Sequence, residues 1–288
     1  MWAKPLEQGC VAGDTERAQP MIKPPLLEKQ LTAMILTYNE EPNLQRALDA
    51  LTWVSEILII DSGSTDNTLI IASKYLNTRV VTRPFDTFAD QCNFGLSLVK
   101  TPWVLSLDAD YELSPMLIDE IRSLEPHEGT AGYRVGFIYR IFGRALRASL
   151  YPPRTVLYQQ RCGSYRNEGH GHRLKLDGET TILKGKISHD DRKSLAVWFS
   201  AQQRYARREA EHLLTAAPSS FSMADRIRIQ AWPAPILVFL YTLIWKRCLF
   251  DGWAGWLYVL QRTLAEVLLA IEIVDQKLRA QLYSRDTK

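Results

Sequence analysis

The chain has 288 residues, 46% of them hydrophobic, with 35 Lys and Arg against 32 Asp and Glu for a formal charge of +3. That is enough apolar material for one large α/β domain with an appendage, and too little positive charge to imply a nucleic-acid partner. Four cysteines, Cys10, Cys92, Cys162 and Cys248, show neither paired metal spacing nor a dense disulfide framework, which points to a reducing compartment.

Residues 1–29 are rich in Pro, Gly and charge and lack a long apolar core. They read as a loosely ordered extension without a signal peptide, and export is not expected. A mostly apolar strand follows over 31–36 and ends in Thr37-Tyr38-Asn39-Glu40-Glu41-Pro42, after which Leu44, Ala47, Leu48 and Leu51 repeat at helical spacing. Pro42 suits a first helical turn and Asn39 suits a cap, so a purely structural role is open for this turn. The next unit repeats the arrangement. A strand over 56–60 is followed by Asp61-Ser62-Gly63-Ser64-Thr65-Asp66-Asn67-Thr68, which opens a helix running to about Leu76. Gly63 and the small hydroxylated residues let a ligand approach the backbone, and Asp61 can accept hydrogen bonds from a base or sugar. Thr65 or Asp66 also serves as a simple helix cap.

After a strand over 79–82 comes a buried run at 103–107, which stops at Asp108 and Asp110 with Ala109 between them. Side chains at i and i+2 of an extended segment share a face, so both carboxylates can reach one divalent ion while Ala109 points away. Two aspartates in a surface turn are the plainer alternative. The alternation of strands and helices through Leu124 argues for a mostly parallel sheet, whose ligands bind beyond the carboxyl ends of the strands.

Beyond Asp110 the pattern changes to extended pieces near 131–140, 155–160 and 181–188. Arg140, Arg144, Arg147, Arg154, Arg161, Arg166, Arg173 and Lys175 stand in this region against Glu168 alone, a stretch that either faces phosphates or is a solvated basic loop. A helix is predicted over 194–214, partly lined by Leu195, Trp198, Phe199, Gln202, Tyr205 and Leu213, and Ala217-Pro218-Ser219-Ser220 marks a boundary. Residues 229–245 carry no charge, but Pro233 and Pro235 leave only Ile236 to Trp245 as a clean apolar helix, and ten residues are too short to cross a bilayer that needs roughly 20. Trp232, Tyr241, Trp245, Trp253, Trp256 and Tyr258 crowd this region, which favours helices lying in a membrane interface. A helical hairpin packed on the main domain or on a second subunit is the competing reading. A last helix, Arg262 to Leu282, fits either.

Taken in order, Thr37 to Glu41, Asp61 to Thr68, Gln91 to Asn93 and Asp108-Ala109-Asp110 resemble the inverting family 2 glycosyltransferases with a GT-A fold. Among these the set is most similar to bacterial lipopolysaccharide core β-glucosyltransferases. The likeness covers residues 30–215 and implies a Rossmann-like α/β domain over 30–217; residues 218–288 are left as the interfacial or oligomerisation helices read above. It implies a metal-dependent inverting transfer of a sugar from a nucleotide-sugar, by default a UDP-sugar, to a hydroxyl of a lipid-linked, lipopolysaccharide or exopolysaccharide acceptor. The location implied is the cytoplasmic face of the inner membrane, peripheral or monotopic, and a homo-oligomer is possible.

By the same resemblance Thr37, Tyr38, Asn39, Glu40, Asp61, Ser62, Gly63 and Asn93 hold the donor together with Asp108, Ala109 and Asp110. Asp108 and Asp110 would hold Mg²⁺ or Mn²⁺, hard ions that favour oxygen ligands, and His189 would complete the shell. The general base is sought in Asn167-Glu168-Gly169-His170-Gly171-His172 and in His189-Asp190-Asp191-Arg192-Lys193. Related enzymes often carry a His-Glu pair at the first site, whereas Gly171 follows His170 here. Glu168, Asp191 and His170 are the candidates, and each is equally readable as an ion-pair partner of nearby arginines. A zinc pair at His170 and His172 is disfavoured by its single spacer residue. A sugar-nucleotide nucleotidyltransferase would be expected to carry a Gly-rich phosphate loop after the first strand, and Thr37 to Glu41 is not one. A non-catalytic glycan-binding relative stays open, because fold does not set function.

Overall fold

The computed structural model describes residues 28–127, 129–148, 151–168 and 171–286, so nearly all of the expected N-terminal extension lies outside the described residues. Four strands, β1 (Leu31–Thr37), β2 (Glu56–Asp61), β3 (Thr78–Thr82) and β4 (Trp103–Asp108), form the parallel half of one sheet in the order β3-β2-β1-β4. Helices α1 (Leu44–Asp49), α2 (Thr68–Ala72) and α3 (Phe88–Leu98) connect them. The helix expected to reach Leu76 stops at Ala72, because Asn77 ties the chain back to the Leu51 and Val54 carbonyls and feeds β3.

β1, β2 and β4 read as mostly apolar runs because both faces are covered, whereas the edge strand β3 is only partly buried. Leu31, Ala33, Ile35, Ile57, Ile59, Leu105 and Leu107 pack on one side with Leu44 and Leu48 of α1, while Met34, Leu58, Ile60 and Val104 pack on the other with Cys92 and Leu96 of α3. The same parity continues past β4. Ala109, Tyr111 and Leu113 join Leu105 and Leu107 in the first layer, which turns Asp108 and Asp110 to the opposite side.

Beyond β4 the sheet becomes mixed. Its further elements are β5 (Tyr111–Leu113), α4 (Pro115–Arg122), β6 (Thr130–Ile141), β7 (Arg144–Ala145), β8 (Arg154–Gln159) and β11 (Glu179–His189). A separate hairpin intervenes, made of β9 (Gly163–Glu168) and β10 (Gly171–Leu176). The order continues β4-β8-β6-β11-β5, with β8 antiparallel to both neighbours and β11 parallel to β6 but antiparallel to β5. The basic residues of 140–175 are therefore scattered over several strands and loops rather than gathered on one face.

The described chain is completed by α5 (Leu195–Thr215), a 3₁₀ turn at Pro218–Ser220, α6 (Met223–Arg228), α7 (Pro233–Leu240) continued by a π turn at Tyr241–Trp245, a 3₁₀ turn at Cys248–Asp251, and α8 (Gly252–Asp286). The last helix begins ten residues before the expected Arg262, because Arg247 and Gly252, both at positive φ, reverse the chain and no breaker follows. The buried stripe of α5 is Ala206, Ala210 and Leu213 against Leu269 and Ile273 of α8, not the expected Leu195 and Phe199, which are exposed. Ile141 and Leu146 of the β6–β7 hairpin pack with Cys248, Ala254, Tyr258 and Val259, joining the helices to the sheet. No helix among the described residues is long and apolar enough to cross a membrane.

Close packing of α4 on β11 depends on Gly185, where a Cβ would lie 2.4 Å from the Leu117 Cα. Gly185→Ala should therefore destabilise the fold by about 1–3 kcal/mol, read as a lower urea midpoint at unchanged slope.

Candidate active site

The site forms where the strand order reverses. The chain moves from β1 outward to β2 and β3 and then returns to place β4 on the other side of β1, leaving a crevice beyond the carboxyl ends of β1 and β4. Register keeps the strand ends level: Thr37 lies opposite Asp61, and Leu36 opposite Asp108.

Two loops lining the crevice are fastened to each other. The Asn39 N–H donates to Ser64 Oγ at 2.9 Å, the Glu40 N–H to Thr68 Oγ1 at 2.7 Å, and the Thr65 N–H to Asn39 Oδ1 at 2.8 Å. Asn39 adopts φ 53°, a left-handed conformation that Asn tolerates better than most residues. The helix cap expected at Asn39 falls to Asn43 instead. Asp61 is fully buried: Oδ1 accepts from the Thr37 and Ser64 hydroxyls, and Oδ2 from the Gly63 and Ser64 N–H groups. A carboxylate has about four acceptor positions, so Asp61 shapes this loop with all of them engaged. Tyr38 is exposed at the rim, and Ser62 Oγ accepts from Gln91 Nε2 at 3.0 Å. Asn93 clasps the backbone of β9, donating to the Tyr165 carbonyl and accepting from its N–H.

Asp108 is exposed at the end of β4 and Asp110 is recessed. Pairing of β5 with β11 sets His189 opposite Tyr111, which brings His189 Nε2 to 2.9 Å from Asp110 Oδ2. Burial disfavours the charge on Asp110, yet the His189 cation and then Lys193 hold its carboxyl below the usual carboxylate range. Burial likewise opposes the charge on His189, but Asp110 keeps the imidazole protonated above its ordinary value. Three tyrosines surround this histidine, with centroid distances of 5.3 Å to Tyr111, 4.7 Å to Tyr139 and 5.3 Å to Tyr151. Tyr258 of α8 touches Tyr139 from behind at 4.9 Å.

No group of three or more His, Cys, Asp or Glu side chains converges as a metal site among the described residues. What the chain does provide is Asp110 Oδ1, buried with no hydrogen-bond partner, close to the exposed carboxylate of Asp108. That donor set fits a hard divalent ion which takes one or two carboxylates and draws its remaining oxygens from a diphosphate. His189 meets Asp110 through Nε2, while its Nδ1 is buried without a hydrogen-bond partner.

Of the proposed bases, His170 lies outside the described residues, and only the backbone of Glu168, at the end of β9, is described. Asp191 is exposed and held through Oδ1 by Asn43 Nδ2 at 2.8 Å and the Lys193 N–H at 3.0 Å. Its neighbour Asp190, not selected from the sequence, is the buried hub. Asp190 Oδ2 accepts from Arg46, Arg192 and the Gly143 N–H, and its backbone carbonyl accepts from Arg46 at 2.8 Å. Lys193, also missed, pairs with Glu40 of the loop after β1. The density of charge at 189–193 was the available signal, but its contacts to Glu40, Asn43 and Arg46 span about 150 positions and have no local signature.

An α/β sheet with acidic loops gathered at its switch point defines a domain whose ligand crevice lies beyond the strand ends. Residues 32–169, just under half of the chain, match the model of the glycosyl transferase family 2. An uncharacterized glycosyltransferase of Rickettsia bellii is 32% identical over 148 residues, covering 49% of this chain and 50% of the relative. The lipopolysaccharide core biosynthesis glycosyltransferase LpsC of Rhizobium meliloti is 33% identical over 110 residues, 36% of this chain and 41% of the relative. This chain thus spans about half the length of the first relative and less of the second. The crystal structure of S. aureus TarS 1-349 in complex with UDP-GlcNAc superposes with a TM-score of 0.44 at 14% identity, covering 82% of this chain and 90% of that one.

Burial pushes the Glu40 carboxyl up to about 7 from 4.5 despite the Lys193 ammonium against it. A carboxyl with a raised folded value binds its proton more tightly in the folded chain, so its contribution to stability is complete below pH 4.5 and declines as pH rises towards 7. The decline is of order 3 kcal/mol. Glu40→Gln should flatten the fall in urea midpoint across that window.

Proposed function

We propose that the chain is an inverting, metal-dependent glycosyltransferase that moves a sugar from a nucleotide-sugar, by default a UDP-sugar, to a hydroxyl of a lipid-linked or lipopolysaccharide-type acceptor at the cytoplasmic face of the inner membrane. The observation that carries this reading is the orphaned, buried Asp110 Oδ1 beside Asp108, at the switch point of a sheet whose segment 32–169 matches the family 2 model. The name of the Rhizobium meliloti relative supports the class of acceptor.

In this reading the nucleoside lies against the fastened loops of Thr37 to Glu40 and Asp61 to Ser64, with the exposed Tyr38 ring at the rim. Asp108 and Asp110 would hold Mg²⁺ or Mn²⁺, whose chemistry is to neutralise the diphosphate as a leaving group. His189 orients Asp110 and keeps it ionised, and the tyrosine cage excludes water from that pair. An acceptor oxygen forms its bond to the anomeric carbon on the face opposite the diphosphate, which departs with the electron pair of the broken carbon–oxygen bond. Asp191, exposed yet aimed by Asn43 and Lys193, takes the acceptor proton.

Asp110→Asn should lower sugar transfer by at least about 100-fold while the chain stays folded, because it removes a preorganised charge outside the core. Radiolabelled transfer from UDP-sugars with Mn²⁺, alongside thermal melting of the variant, tests this. Near-normal turnover in the variant would refute the role of the acidic pair, and a melting temperature indifferent to UDP-, GDP- and dTDP-sugars would refute the donor class.

A further inference from the structure

The α7–α8 pair has one face committed to the domain and another left open. Along α7 and the π turn, Phe239, Thr242 and Leu243 face inward, while Ile236, Leu240 and Ile244, each four residues apart, run along the outside beside Leu237, Tyr241 and Trp245. Helix α8 repeats the division: Ala254, Tyr258 and Val259 are buried, and Trp253, Trp256, Leu260 and Leu264 are exposed. The connecting turn adds Leu249 and Phe250. Exposure reaches 77% at Trp245, 64% at Ile244 and 62% at Phe250. A continuous apolar stripe of this extent on two adjacent helices is unusual for a surface that meets only water.

The charges bordering the stripe have one sign. Over residues 229–261 the charged residues are Lys246, Arg247 and Asp251, and Asp251 is buried in a pair with Arg147. Lys246 Nζ lies 5.5 Å above the Tyr241 ring and the Arg147 guanidinium 5.8 Å above Phe250, so the bases stand on the outward aromatics themselves. Arg144 sits against Gly252 at the start of α8, on the β6–β7 hairpin whose tip, Phe142, is exposed at φ 46°. Aromatic rings at headgroup depth with cations beside phosphates is the chemistry of an anionic bilayer surface. A protein partner of matching shape would have to supply an acidic rim around an apolar groove.

We propose that this outward face is a monotopic docking surface for an anionic lipid bilayer, and that α8 is the partition between the membrane and the active site. Tyr258, on the inner side of α8, touches Tyr139 of the cage around His189, whereas Trp256 and Leu260 lie on the outer side. The cage therefore stands about one helix diameter, roughly 10 Å, from the docked surface. A hydroxyl acceptor anchored by its lipid would reach the crevice without leaving the membrane. This last consequence rests on the glycosyltransferase reading; the docking itself does not.

Removing the helices altogether would strip the packing around Ile141 and Leu146, so point variants are the proper test. The full chain is floated with vesicles of phosphatidylcholine alone and of phosphatidylcholine with phosphatidylglycerol, as wild type, as Ile244→Glu/Trp245→Glu and as Lys246→Glu/Arg247→Glu. Wild type should float with the anionic vesicles and be released by salt. Both double variants should lose at least about tenfold of the bound fraction while keeping the wild-type melting temperature and its increase with donor. Wild type left in the vesicle-free fraction with both compositions overturns the proposal. So does a wild-type dimer, seen by sedimentation, that Ile244→Glu/Trp245→Glu converts to monomer without any vesicle binding by wild type, since the face is then a subunit contact. Flotation without any donor-dependent stabilisation would leave docking standing and remove the glycosyltransferase reading instead.

Discussion

Burial of β1, β2 and β4 on both faces governs the rest of the molecule. Once alternate residues of each strand are committed to opposite layers, the register cannot slip by one without exposing a whole set of apolar side chains. The strand ends are therefore level, and Thr37, Asp61 and Asp108 arrive at one edge. The same parity carries on through Ala109, Tyr111 and Leu113 and leaves Asp108 and Asp110 on the crevice side. The acidic pair is thus placed by the packing of its apolar neighbours.

Electrostatics at that edge are arranged by the C-terminal end of β11. A carboxylate as enclosed as Asp110 is costly unless a partner compensates, and His189 reaches it through the ladder between β5 and β11. One residue on, Asp190 is held by Arg46, Arg192 and Gly143, and Lys193 reaches the loop after β1 to meet Glu40. These contacts bind the last strand of the sheet to the first helix. The residues that set the charge of the crevice also hold its two walls together.

The C-terminal helices belong to this arrangement as much as to the outer surface. Through Tyr258 and the third apolar cluster they back the cage of His189 and the β6–β7 hairpin, and through Leu269 and Ile273 they carry α5. The two readings opened by the aromatic-rich segment, packing on the domain and facing a membrane, concern opposite sides of the same helices. The inner side is seen to pack on the domain. The outer side is apolar, exposed and edged with bases.

Strand positions, the acidic doublet and the polar turns after β1 and β2 were legible in the sequence, since local hydrophobic runs and their abrupt polar ends determine where strands stop. The motifs that carry the family resemblance are short and local for the same reason. Tertiary structure alone decided that Asp61 and Asn93 spend their polar atoms on neighbouring backbone and side chains, that Asp190 is buried while Asp191 is exposed, and that Lys193 faces Glu40. It also decided that α2 ends at Ala72 and that α8 begins at Gly252. Each of these depends on pairings between segments far apart in the chain, and a hydrogen bond across about 150 residues leaves no periodicity for a sequence to display.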